Sequence, residues 1–533
     1  MTAAVFTRIL RSHLSYERIF LLLFLIALIA RFTLLDLKLF HHDEAVHAWF
    51  SWRLQTLGTY SYDPVYHGPF LYYVTAGMFS LFGTSDLVGR IIPALAGALL
   101  IPLVYPIYRL GYIGGRQAVG AALFLAVSPD MVYFSRFLRN DIFIVFFSLV
   151  LLVAALYYFE RGERKYLIIG AAAAGLGMCA KENMPIVIAT FGSYLVYAVW
   201  RRTLILPRRW KADLVIGIMV AAGIMVVFYS SFLQHPEILA DGWLRAIEHW
   251  TSMHQQQRLG GPPYFYLLLF VLYELPVLLL AGCAVLQFLM SPARGQPGTE
   301  ENIGGIDALF NRMLRASLPV PVPAMDRQNE FMRFCIYWMI TSVVIYAYIG
   351  EKVPWLILHQ LLPLIFVAVY RLDRDRWKSV AAAGAVIFLV VMTLHVAFTP
   401  ADINEPIVQV QNSEDLRTIM ALIDASATVA ITTDNYWPLP WYYRGQANSH
   451  IAYLTPPVSP ETLRARDFDL IIAHDLESYP SLPGYEKETY RHSYWFSTHD
   501  NKDRLLAYYF TREGITGSVN WDVFVRENTP ACI

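Results

Sequence analysis

The chain has 533 residues, of which 56% are hydrophobic and 16% charged, where a soluble domain carries roughly 25% charged residues. The apolar surplus comes in long blocks that a water-soluble core cannot absorb, which excludes a purely soluble protein. Lysine plus arginine and aspartate plus glutamate balance at 42 each, so no basic excess argues for nucleic acid as a partner.

Runs of about 17 to 25 apolar residues read as membrane spans. In chain order they cover 18–37, 88–109, 114–134, 141–159, 166–180, 184–200, 214–233, 264–290, 331–349, 354–370 and 380–399. The run after Glu17 ends in no small-residue cleavage site, so it is expected to stay as the first span. Arginine and lysine fall in one alternating set of loops: Arg8, Arg11 and Arg18; Arg109 and Arg116; Arg161, Arg164 and Lys165; Arg201, Arg202, Arg208, Arg209 and Lys211; Arg371, Arg374, Arg376 and Lys378. Cations are held on the cytoplasmic side of short loops. The N-terminus is therefore expected in the cytoplasm of a multi-pass plasma-membrane protein, and an odd number of spans puts everything after Thr399 outside.

The first outer loop, 38–87, is too rich in His, Asp, Tyr and Pro for lipid, yet 45–57 and 70–82 are amphipathic and aromatic and predict helices lying along the interface. A second outer loop, 234–263, holds Trp243, Trp250 and His254 and ends in Gly260-Gly261-Pro262-Pro263. The stretch 291–330 reads as a cytoplasmic connector. After Thr399 short strands at 428–432 and 470–473, with a helix over 413–424, predict an α/β domain with a mostly parallel sheet. The chain is thus expected to be a polytopic α-helical membrane protein of about eleven spans, residues 1–399, followed by an extracytoplasmic α/β domain, 400–533. No glycine-rich nucleotide motif is present. The aromatic run Tyr436 to Tyr443 suits sugar or peptide binding, or a hydrophobic seam that docks the domain. Cys179, Cys283, Cys335 and Cys532 show no paired spacing and read as unpaired.

The chemistry-bearing residues collect on the outer face. In His41-His42-Asp43-Glu44-Ala45-Val46-His47, spacings of three and four put Asp43, Glu44 and His47 on one helix face. The same segment also reads as a helix N-cap with solvated histidines, and a zinc site ranks below both because no spacing fixes a geometry. Tyr66-His67-Gly68-Pro69-Phe70 is a rigid turn before an aromatic helix. Arg136, Arg139 and Asp141 cluster where two spans meet, Lys181-Glu182-Asn183 interrupts an apolar stretch, and Glu351-Lys352 precedes Pro354-Trp355. Any one pair could be snorkelling. That all of them share a side with Asp43, Glu44 and His67 favours a site for an anionic lipid headgroup.

The DE pair in a large first outer loop, the HxPP-like turn His67-Gly68-Pro69 and Arg90 within Val88-Gly89-Arg90-Ile91 resemble the C-type membrane glycosyltransferases, in the branch of protein O-mannosyltransferases and lipid A aminoarabinose transferases. HHDEAVHAW, SRFLRNDIF and EKVPWL look still more like a prokaryotic subfamily associated with archaeal N-glycosylation loci. The resemblance covers Arg18 to Thr399, with Gly68 where the mannosyltransferases usually have a first Pro. It implies a transferase drawing a polyprenyl-phosphate-linked sugar from the membrane lipids and passing it to an extracytoplasmic protein, lipid or glycan. Asp43 matches the family base, with Glu44 in support; Arg139, Lys181 and Lys352 would bind the lipid phosphate; His47, His67, Arg136, Asp141, Glu182 and Glu351 would line the substrate. Metal use varies in the superfamily: no metal ligand is assigned, and a divalent ion at Asp141 stays open. The rival classes are a secondary transporter or flippase, for which neither internal repeats nor mid-span polar breaks stand out, and a non-catalytic glycan- or lipid-binding protein, against which the intact Asp43-Glu44 pair weighs.

Overall fold

The computed structural model describes residues 3–256, 261–290, 326–372, 376–400 and 402–527. Most of the expected cytoplasmic connector lies outside the described residues. The chain splits into two compact units: a helical unit of Met1–Thr33, Tyr60–Leu71 and Ile91–Ala397, and a sheet unit of Leu34–Thr59, Tyr72–Arg90 and Phe398–Ile533.

In chain order the helices before the sheet are α1 (Ala3–Phe32), α2 (His42–Leu57), α3 (Phe70–Phe82), α4 (Asp86–Arg109), α5 (Gly115–Val127), α6 (Pro129–Ser135), α7 (Asp141–Arg161), α8 (Arg164–Ala180), α9 (Met184–Trp200), α10 (Trp210–Tyr229), α11 (Ile238–Gln256), α12 (Phe265–Tyr273), α13 (Leu275–Met290), α14 (Arg327–Tyr348), α15 (Leu358–Ala368) and α16 (Arg376–Phe398). Among the described residues five helices are long and apolar enough to cross a membrane: α4, α7, α10, α14 and α16. Two bent pairs, α5–α6 at 53° and α12–α13 at 108°, raise the number to seven if each is one span. The other segments expected to span fall on α1 and on the shorter helices α8, α9 and α15.

The two breaks are polar interruptions within spans that the sequence reading passed over. Each pairs a proline with a carboxylate, Ser128-Pro129-Asp130 and Glu274-Leu275-Pro276. Proline has no N–H to continue the ladder and Ser128 restarts α6, its hydroxyl accepting from the Met131 amide at 3.1 Å while donating to Glu274. In the helical unit α7, α8 and α10 pack together, and α15 lies against α13, α14 and α7. Every residue of α15 is buried. That burial takes in His359 and Gln360, so the helix carries polar groups into the core.

The sheet unit joins α2, most of α3 and the first turn of α4 to a six-stranded sheet of order β1-β5-β6-β4-β2-β3. The strands are β1 (Gln411–Asn412), β2 (Val429–Ile431), β3 (Ile451–Tyr453), β4 (Leu470–His474), β5 (Tyr485–Phe496) and β6 (Thr516–Arg526). β4, β2 and β3 are parallel, whereas β1–β5, β5–β6 and β6–β4 are antiparallel. The mostly parallel sheet expected from the sequence is therefore corrected to a mixed one. Its long antiparallel half begins after Gly484: only a short turn, Asp475–Glu477, separates β4 from β5, and the two longest strands, β5 and β6, pair antiparallel. One face packs on Leu416, Ile419, Ile423, Leu439 and Tyr443, together with Leu39 from the first loop; the other packs on Leu463, Phe468 and Leu482.

Candidate functional site

In the sheet unit, α2 starts at His42, earlier than the periodicity predicts, because His41 rather than Asp43 is its cap. The His41 ring Nδ1 accepts from the Asp43 amide at 3.0 Å, the Glu44 carboxylate accepts from the His41 amide at 3.0 Å, and Nε2 donates to the Gln409 carbonyl. This capping box satisfies the first orphan amides of the helix. Glu44 is fully buried and takes a bidentate pair from Arg90, Nε at 2.8 Å and Nη2 at 2.6 Å. Arg90 also donates to the carbonyls of Leu35, Lys38 and Leu39. The neighbouring Asp43 side chain is partly exposed. Of the DE pair, one carboxylate is thus locked and the other reaches solvent. His47 is buried, its Nδ1 2.8 Å from the Tyr72 hydroxyl.

In the helical unit the turn before α3 is pressed against the end of α8. A Cβ on Gly68 would lie 2.1 Å from the Cys179 carbonyl oxygen, and the Gly68 amide donates to Ala180 at 3.2 Å. That close approach explains the glycine where a proline is usual. His67 takes φ +67°, a strained value for a non-glycine residue. Its Nδ1 sits 2.9 Å from Glu182 and its ring stacks on Trp250 at 5.4 Å. The other ring nitrogen is 3.5 Å from the Arg139 guanidinium, which has no acceptor, so Nε2 carries the lone pair and Nδ1 the proton. Burial pushes the half-buried Glu182 carboxyl up, but His67 and Lys181 beside it outweigh this and hold it below the usual carboxylate range.

The centre of this network is Asp141 at the start of α7. Lys181 Nζ donates to both of its oxygens, at 2.9 and 3.1 Å; His359 Nε2 lies 3.3 Å and Arg139 Nε 3.6 Å away. All four are less than a tenth exposed. The Arg139 guanidinium rests 3.8 Å over Trp355, and His359 stacks on Tyr346, whose hydroxyl accepts from Asn183 at 2.7 Å. Two cations and an imidazole around one carboxylate suit an anionic group and do not fit a divalent cation, which they would repel.

The remaining candidates are held differently. Arg136 Nη1 donates to the carbonyls of Ala30, Arg31 and Thr33, closing the C-terminal end of α1. Arg31, fully buried, reciprocates on Ala126 and Leu125 at the end of α5. Lys352 donates to Tyr346 and Ala347, each at 2.9 Å, and to Ile349, capping α14; burial lowers its ammonium. Glu351 is half-buried in the loop beside it. His359 and Tyr346 were missed by the sequence reading, which quoted Trp355 within EKVPWL but gave it no part in the site. An ionisable residue inside an apolar helix was the signal that could have found His359.

Within the sheet unit the aromatic run is part seam: Leu439, Trp441 and Tyr443 are buried, while Tyr436, Trp437 and Tyr442 stay partly exposed. Trp441 is fully buried between Phe40 and Phe79, and its indole N–H donates to Asp86 at 2.7 Å. The Tyr442 hydroxyl donates to the other Asp86 oxygen at 2.7 Å while accepting from the Phe40 amide at 2.9 Å.

Comparison with solved structures places the chain in a fold class. ArnT from Cupriavidus metallidurans bound to undecaprenyl phosphate aligns with a TM-score of 0.57 at 16% identity, over 94% of this chain and 97% of that one. The archaeal oligosaccharyltransferase AglB from Archaeoglobus fulgidus, in complex with an inhibitory peptide and a dolichol-phosphate, aligns at 0.54 and 13% identity, over 86% and 69% respectively. The protein is a multi-pass membrane protein with the fold of the C-type glycosyltransferases. Within it, residues 66–229 match the family model of the dolichyl-phosphate-mannose-protein mannosyltransferases. Protein O-mannosyl-transferase 1 of Mus musculus is 33% identical over 71 residues, which is 13% of this chain and only 10% of that relative's length. The family and the structural neighbours are glycosyltransferases.

Proposed function

We propose that this protein is a membrane glycosyltransferase that moves a sugar from a polyprenyl-phosphate donor to an acceptor outside the cytoplasm. The acceptor oxygen or nitrogen attacks the anomeric carbon, its proton passes to Asp43, and the carbon–oxygen bond to phosphate breaks with the electron pair leaving on the lipid phosphate. The partly exposed Asp43 can take a proton, whereas Glu44 is committed to Arg90 and serves to hold the helix. Arg139 and Lys181 hold the leaving phosphate, oriented by Asp141, His359 and the Glu182–His67 pair. Lys352 positions the end of α14, its ammonium being bonded to carbonyls. The observation that carries the reading is the buried cation cluster around Asp141, built into a fold whose solved example ArnT was bound to undecaprenyl phosphate.

The test is incubation of purified protein with a panel of polyprenyl-phosphate sugars, following release of the free lipid phosphate. One donor should be turned over by the natural protein and not by Asp43→Asn. Lipid-phosphate binding that persists without turnover of any donor, across a panel of protein, lipid and glycan acceptors, would replace the enzyme reading by the non-catalytic one.

A further inference from the structure

Within the sheet unit, the C-terminal segment is bonded to the first-loop segment that leads into α2 and to the start of α4. Within the sheet unit, Trp441 and Tyr442 both donate to Asp86. Asp86 and Arg90 are one turn apart on α4, so a shift at the first carries the second. Arg90 grips Glu44 bidentately, and Glu44 is the third residue of the helix whose second is Asp43. The lead-in to that helix is held from the same side. Tyr442 receives the Phe40 amide, Asn412 donates to the Phe40 carbonyl at 2.6 Å, Gln411 donates to Leu39 at 3.3 Å, and the Gln409 carbonyl fixes the His41 ring. Arg444 completes the clamp, donating to Thr84 at 2.9 Å while lying 4.1 Å over Trp441.

We infer that the C-terminal domain positions the proton acceptor: the Trp441/Tyr442–Asp86 clamp, acting through Arg90 and Glu44, sets the orientation of the first turn of α2 and with it the Asp43 carboxylate. The inference rests on reading Asp43 as the base. It gives the aromatic run a part in the reaction without contact with substrate, and makes Trp441, Tyr442 and Asp86 positioning residues. A catalytic group misplaced by about 1 Å loses on the order of a hundredfold in rate, so a clamp of this kind is visible in turnover.

The experiment uses full-length protein in nanodiscs, with Tyr442→Phe, Trp441→Phe and Asp86→Asn. Tyr442→Phe removes one oxygen and nothing else, so it stays informative if the tryptophan variant fails to fold. Hydrogen exchange over residues 39–46 should quicken about tenfold in Tyr442→Phe, kcat should fall about ten- to a hundredfold, and KM for the polyprenyl-phosphate sugar should stay within about twofold. Asp86→Asn, which keeps an oxygen for one of the two donors and turns an N–H₂ toward the other, should lose at least as much as Tyr442→Phe. Exchange unchanged in Tyr442→Phe would overturn the inference, as would faster exchange with unchanged kcat, or a parallel loss of kcat, KM and thermal stability. Because exchange is read without turnover, an active Asp43→Asn would sink the base assignment alone and leave the clamp to be judged on its own measurement.

Discussion

Replacing each member of the DE pair in turn separates chemistry from architecture. Asp43→Asn keeps size and hydrogen bonding but removes the proton acceptor. Turnover should fall by roughly 10² to 10⁴, or about 2.7 to 5.5 kcal/mol of barrier. Asp43 is partly exposed where Glu44 is fully buried, so the loss of stability should be smaller than in Glu44→Gln. Glu44→Gln acts on a different quantity. Its carboxylate accepts from Arg90 Nε, Arg90 Nη2 and the His41 amide, and Arg90 is 4% exposed. A glutamine offers one oxygen for these donors and turns an amide N–H₂ toward a guanidinium that has no acceptor. The buried arginine is left without its counter-charge, which costs about 3–5 kcal/mol. Glu44→Gln should therefore lose thermal stability and hydrogen-exchange protection over 39–46, with turnover falling as a consequence. The assay pairs lipid-phosphate release with thermal unfolding of each variant. An Asp43→Asn protein with full turnover would refute the base, and a Glu44→Gln protein as stable as the natural one would refute the buried pair as the helix anchor.

Lys181→Met removes both bonds from Lys181 to Asp141 and should weaken lipid-phosphate binding and turnover together, each about tenfold or more, as measured by lipid-phosphate titration and steady-state rates; loss of turnover alone would show that Lys181 does not hold the phosphate. Gly68→Ala forces a Cβ to 2.1 Å from the Cys179 oxygen, so the turn must move; thermal stability should drop by about 3 kcal/mol, and an unchanged melting temperature would contradict the packing. In the sheet, burial lowers the His492 imidazole to about 4, with His42 and His474 adding to this and its bond to the Trp437 carbonyl opposing it. Above about pH 6.5 both folded and unfolded states are neutral at this residue, and below it only the unfolded state takes up the proton, so the contribution of about 3 kcal/mol is lost as pH falls from 6.5 to 4. Exchange in β5 and β6 should rise over that window and the slope should flatten in His492→Phe; a pH-independent profile would refute the assignment. An impermeant thiol reagent applied to intact cells should label a cysteine placed at Asp434 and spare one at Arg208, and the reverse would invert the orientation drawn from loop charge.

The sequence by itself determined the class, because long apolar runs have a local cause and a local signature: a helix in lipid satisfies its own backbone bonds. It also located α2, the His67 turn and the ends of α7 and α8, where short polar segments interrupt those runs. What it left open were the partners. Asp43 and Glu44 are adjacent and chemically alike, and only Arg90, 46 residues beyond Glu44, makes one a buried anchor while the other meets solvent. Lys181, Lys352 and Arg136 all read as outer-face cations, yet one binds a carboxylate and two cap helix ends. His359 joins Asp141 across 218 residues, and Trp441 reaches Asp86 across 355. Burial of a polar group requires that it be satisfied but not by which group, since no periodicity links residues so far apart in the chain. That choice belongs to the packing of helices and strands, and so it was decided only in the tertiary structure.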